Sequence, residues 1–140
     1  MTEVLFKGKS LIGNKWIEGS FVEEICQNSI VNTWIVLKHQ NNDNLQKAMV
    51  DRHSICQFTG RYDKRNRKIF ENDIVAMNLR ISRNHYVQIL GYIAYNEKTA
   101  SYVAYFGLDI AISLSESEKF EVVGNRLDNP ELLEGCEYNG

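Results

Sequence analysis

The chain has 140 residues, 44% hydrophobic and 24% charged, a balance that suits one soluble globular domain and excludes a disordered tract. A net charge of −2 argues against a strongly basic nucleic-acid coat, though it leaves room for a local basic patch. No run approaches the roughly 20 apolar residues of a membrane-spanning helix, and the opening MTEVLFKGKSLIGNKW lacks the layout of a secretory signal, so a cytoplasmic protein is expected.

The cysteines agree with that compartment. Cys26, Cys56 and Cys136 are odd in number, far apart and without a CxxC pair, unlike a disulfide framework or a zinc knuckle. Cys56 lies in HSICQFTG, apolar on most sides, and reads as a small buried hydrophobe. His53 and Cys56 have H-x-x-C spacing, but two ligands do not make a zinc site. No metal and no cofactor are expected.

In chain order, EVLFKGK alternates in part, and KWIEGSFVEEI places Trp16, Ile17, Phe21, Val22 and Ile25 around Gly19-Ser20, which predicts a hairpin turning there. SIVNTWIVLK carries β-branched and aromatic residues on both faces, the pattern of a central strand. The Asn-rich stretch from His39 to Asn44 reads as a solvated loop and as a boundary between an N-terminal β arm, 1–50, and a core, 51–140, of one domain. NLQKAMVDR is a helical candidate; the alternative for 38–52 is loop.

From Ser54 onward strand patterns tighten. SICQF and KIF flank a polar segment, DIVAMNLRI follows, and two long strands, Tyr86 to Tyr95 and Ser101 to Phe106, are joined by the polar NEKT. The recurrent tyrosines suit a half-buried sheet, ring packed and hydroxyl wet, more than a base-stacking platform. ISLSES offers a short helix, FEVVGN a last strand, and Asn129, Pro130 and Glu131 a helix start with cap, fixed φ and an acidic first turn. Short strands with polar turns and no βαβ alternation predict a mainly β fold, a small sheet or barrel.

The densest local signal is QFTGRYDKRNRKIFENDIV, Gln57 to Val75. Asp63 is suited to bond its own backbone two residues on, and Asn66 tolerates the left-handed backbone of a tight turn. Arg61, Lys64, Arg65, Arg67 and Lys68 are then expected to point into solvent around a hairpin tip, where positive charge also discourages edge-to-edge pairing. The sharper reading makes these five residues nucleic-acid contacts that grip phosphate, joined by Arg80 and Arg83, with steep salt dependence. Asp73 is expected to stabilise a bend at Asn72-Asp73.

This stretch resembles the signature of the YopX family of phage and prophage proteins, QFTGLxDKNGKxIFEGDIV. The tail FEVVGNRLDNPELL resembles that family's closing EVIGNIxxNPELL, and EVLFKGKSLIGNKWIEGSFV is similar to its opening ILFRGKRxxxGxWVEGxxV. Two turn glycines of the family pattern stand here as Asn66 and Asn72, the non-glycine residue that best accepts positive φ. Arg61 replaces an apolar position. The resemblance implies a small SH3-like β-barrel in a bacterial host cell, with no catalytic residues to carry over; to it the residues above add an N-terminal β-hairpin arm and a short C-terminal helix.

His39, His53 and His85 sit in unrelated contexts, and no GxSxG, P-loop, HExxH or dinucleotide-binding pattern occurs. Asp51, His53 and Ser54 are the nearest approach to a relay, but alternating neighbours on a strand do not form one easily. The expectation is a noncatalytic binding module that contacts an unidentified phage or host protein, or further copies of itself. The alternative is nucleic-acid binding through the Arg61–Lys68 tip.

Overall fold

The computed structural model describes residues 4–37, 46–107 and 110–134. The Asn-rich stretch His39 to Asn44, expected to be a loop, together with Leu45 and Cys136, lies outside them. The protein is mainly β, its strands are arranged in two antiparallel sheets, and the chain divides into two compact units, 1–58 and 59–140.

The first unit contains β1 (Phe6–Lys9), β2 (Trp16–Cys26), β3 (Ser29–Leu37), β4 (Gln46–Met49) and the opening residues of β5 (Cys56–Tyr62), in the order β4-β3-β2-β1-β5. Its buried side chains include Leu5, Ile35, Val50, Cys56 and Phe58. β3 is central, as its two apolar faces predict, with β2 on one edge and β4 on the other.

Two expectations fail in this unit. Gly19-Ser20 is not a turn, because β2 runs through it. Gly19 stands opposite Phe6 of β1, and a Cβ there would collide with the Val36 carbonyl of β3. The glycine permits a close strand approach. The turn comes later, at Gln27 and Asn28, whose φ values of 51° and 65° make the two-residue connection that matches strand twist. The helical candidate NLQKAMVDR is also corrected. Gln46–Met49 is a strand whose Met49 pairs with Trp34 and Lys47 with Val36, so pairing with β3 overrides helix-forming side chains. A single 3₁₀ turn, Arg52–Ser54, follows.

In the second unit, β6 (Lys68–Phe70) follows the hairpin tip, and β7 (Asp73–Ser82), β8 (His85–Asn96), β9 (Ser101–Tyr105), β10 (Ala111–Ser113) and β11 (Glu121–Asn125) form a sheet in the order β10-β9-β8-β7-β11. Among the described residues β10 and β11 do not pair, so the sheet does not close into a barrel. Ile69, Val75, Met77, Ile93 and Ala104 from the strands pack with Phe106, Leu114 and Phe120 into one apolar cluster. Leu114 and Phe120 bracket the 3₁₀ segment Leu114–Lys119, the short helix that ISLSES suggests.

Helix α1 (Glu131–Glu134) follows Pro130 as the sequence predicts. The Asn129 side chain has another partner: its Oδ1 accepts the Asn125 N–H at 3.2 Å, while the Asn129 N–H donates to the Asn125 carbonyl at 2.8 Å. Gly124 makes room, since a Cβ would lie 2.6 Å from that oxygen.

Candidate functional site

Asp63 organises the basic tip. Its Oδ1 accepts the N–H groups of Arg65 (2.9 Å) and Arg67 (2.8 Å), and its Oδ2 accepts the Val122 N–H (2.9 Å) and the Arg67 Nε (3.2 Å). The carboxylate is fully buried. Burial alone would raise its pKa, but the donors from Val122, Arg67 and Arg65, with the Arg67 guanidinium, outweigh that and hold it below the ordinary value. Asn66 supplies the turn with a φ of 63°, and its N–H donates to the Asp63 carbonyl at 2.9 Å.

The cations around this turn do not simply project into solvent. Lys64 Nζ and Arg65 Nε each lie 3.3 Å from a Glu121 carboxylate oxygen, and Arg67 Nη2 lies 3.8 Å from it. Arg67 Nη2 also donates to the Val122 carbonyl at 2.9 Å. The tip is therefore laid along β11, where three of its five cations share Glu121. Arg61 is exposed and Lys68 half-buried on the flanking strands. A phosphate approaching Lys64 or Arg65 would compete with a carboxylate already in place. The second asparagine behaves as expected: Asn72 has φ 69°, and Asp73 Oδ2 accepts the Phe70 N–H at 2.8 Å across the bend.

Asp51, His53 and Ser54 form a turn cap. Asp51 Oδ1 accepts the His53 backbone N–H at 2.9 Å. Ser54 Oγ donates to the Asp51 carbonyl (2.6 Å) and accepts the Lys9 N–H (2.7 Å). Nearby Cys56 is buried, as its apolar context predicts, whereas His53 is exposed. Among the described residues, no three His, Cys, Asp or Glu side chains gather as a metal site would need. The tyrosines largely pack on one another: Tyr92 and Tyr105 rings lie 5.6 Å apart, Tyr95 and Tyr102 5.3 Å, and the Arg126 guanidinium sits 4.1 Å above Tyr92.

Sequence reasoning missed two ribbons. In the first unit β1 covers β2 only over Trp16–Gly19, and β4 covers β3 only over Trp34–Leu37. The Val50 N–H also donates to the Thr33 carbonyl at 2.9 Å, so the remaining residues, 20–26 and 29–32, extend as a two-stranded arm. Ile25 (65% exposed) lies opposite Ile30, and Val31 beside it is half exposed. Glu24 accepts the Asn32 Nδ2 and Trp34 Nε1 on this arm, which lowers its pKa. An open cleft of about 220 Å³ runs beside the arm, lined by Leu11, Ile30, Val31, Met49, Val50 and Arg52 among others.

In the second unit β11 covers β7 only over Asp73–Ala76, and β9 covers β8 only over Tyr92–Asn96. Beyond these, 77–82 and 85–91 pair solely with each other among the described residues. The sequence shows this ribbon's charge character, since no Asp or Glu lies between Asp73 and Glu97, but not its exposure.

The sequence model of the YopX family, described as "YopX protein", matches residues 5–134. The chain belongs to the YopX family. A search of curated proteins finds no match. Among solved structures, this YopX-family chain is similar to protein EF1440 from Enterococcus faecalis, with a TM-score of 0.58 and 22% identity over 96% of this chain and 100% of that one. At that identity the likeness concerns the fold.

Proposed function

We propose that this YopX-family chain is a noncatalytic accessory protein of phage or prophage origin, acting in the bacterial cytoplasm as a binding module through protein–protein contacts. The observation that carries the reading is the β2–β3 arm. Scattered apolar residues on a surface are ordinary, but Ile25, Ile30 and Val31 are contiguous on a two-stranded ribbon that neighbouring strands leave uncovered. The partner is a phage or host protein, or a second copy of the chain. A segment of extended peptide pairing beside β3 and filling the adjacent cleft would use the same edge. In this reading the five-stranded sheet capped by Phe120 is the part an SH3-like barrel would describe, serving as scaffold.

The test is site-specific photocrosslinking in the bacterial cell from positions Ile25 and Val31, with Val123 of β11 as the comparison. The expected result is a discrete protein adduct from the arm positions alone, lost in an Ile30→Asp background. Equal adducts from all three positions, or none from the arm, would overturn it. The alternative reading, nucleic acid at Arg61, Lys64, Arg65, Arg67 and Lys68, is weakened by the Glu121 carboxylate among those cations.

A further inference from the structure

The outer half of the β7–β8 ribbon is exposed along 78–82 and again at His85, Tyr86 and Gln88. Arg80 lies opposite Tyr86, and the register shift between Arg80 and Ser82 makes Ile81 a bulge residue, 60% exposed. Arg80 donates from Nε to the Ser82 carbonyl (3.3 Å) and from Nη2 to the Arg83 carbonyl (3.1 Å), so it braces the tip while its charge stays at the surface. Arg83 adds to it. Unlike the Arg61–Lys68 tip, the ribbon has no carboxylate of its own: no Asp or Glu occurs between Asp73 and Glu97, in a chain with 18 of them. Among the described residues no ion pair engages Arg80 or Arg83.

From this we infer that the β7–β8 ribbon is a duplex-DNA contact that enters the major groove. Charge complementarity selects a polyanion, and three further properties select DNA. A two-stranded antiparallel ribbon fits a major groove about 12 Å wide, whereas the A-form groove of RNA is too narrow. The amides of Asn78, Asn84 and Gln88 supply donors and acceptors for phosphates and base edges, which a lipid surface would not require. Ile81 and Tyr86 offer apolar contact for thymine methyl groups. The site shares no residue with the arm proposed above to bind protein, and neither assignment depends on the other.

The experiment is fluorescence anisotropy of a labelled 20-base-pair mixed-sequence DNA titrated with the full chain, at about 50 mM and about 200 mM salt. Binding is expected at low salt and should weaken about tenfold over that range if two phosphates are contacted. The Arg80→Gln/Arg83→Gln variant should lose about tenfold in affinity with a shallower salt slope, and Arg83→Gln, which leaves the Arg80 brace in place, should lose part of it; circular dichroism checks that both fold. Lys64→Gln/Arg65→Gln reads the other basic site, and an equal or larger loss there overturns the assignment. So does unchanged binding in the double variant, absence of binding at low salt, tighter binding to single strands, or stronger ribbon-dependent binding to anionic phospholipid vesicles than to DNA.

Discussion

The buried carboxylate of Asp63 accepts the backbone N–H of Val122 at 2.9 Å, across 59 positions of sequence. One side chain thereby closes its own turn through Arg65 and Arg67 and fixes that turn against β11. Asp63→Ala would leave three N–H groups without their acceptor and Arg67 without its buried partner. We expect a loss of about 3 kcal/mol in urea unfolding, with Asp63→Asn intermediate, because a carboxamide oxygen still accepts. A loss under about 1 kcal/mol would mean that water satisfies these donors.

The same carboxylate gives a pH dependence. Its folded pKa is held below the ordinary value of 3.8, so its contribution to stability is complete above that value and disappears as pH falls through the folded one. Acid unfolding of the wild type should therefore steepen below about pH 4, and Asp63→Asn should flatten that limb while leaving the curve near neutrality parallel. Identical acid limbs in the two proteins would remove Asp63 from the account.

Asn66 adopts a φ of 63° with its N–H held by the Asp63 carbonyl. Asn66→Gly should be close to neutral, whereas Asn66→Val should cost about 1–2 kcal/mol, since a branched Cβ is disfavoured in left-handed backbone. Thermal unfolding of the pair separates backbone strain from side-chain loss: if Gly and Val cost the same, the amide rather than the φ angle matters.

Gly19 and Gly91 test the two units separately. A Cβ on Gly19 would meet the Val36 carbonyl, and one on Gly91 the Tyr105 carbonyl. Each Gly→Ala change should cost about 1–3 kcal/mol by overpacking. Hydrogen exchange should place the loss within 1–58 for Gly19→Ala and within 59–140 for Gly91→Ala; a uniform loss of protection in both would indicate one cooperative unit.

Much of this architecture is legible where local chemistry decides it. The β-branched runs mark β3, β7 and β8, Asn66 and Asn72 mark left-handed corners, and Pro130 marks the start of α1. Failures fall where a distant strand decides. Gly19 resembles a turn residue until β3 is seen pressing on it, and Gln46–Met49 has helical residues that β3 draws into a sheet. The charge of the Arg61–Lys68 tip was readable, but its neutralisation by Glu121 was not, because that carboxylate arrives from the far end of the unit. Ribbon exposure depends on where β9, β11, β1 and β4 stop, and no local pattern encodes those limits.

β5 runs unbroken from Cys56 to Tyr62, giving Cys56 and Gln57 to β1 while Thr59 Oγ donates to the Ile69 carbonyl at 2.7 Å. Anyone who severs the polypeptide at 58/59 to study the halves apart would strip an edge from one or the other. Pieces intended to stand alone should overlap, each retaining 56–62, and a failure of shorter versions to fold would reflect that missing border rather than any intrinsic weakness of either half.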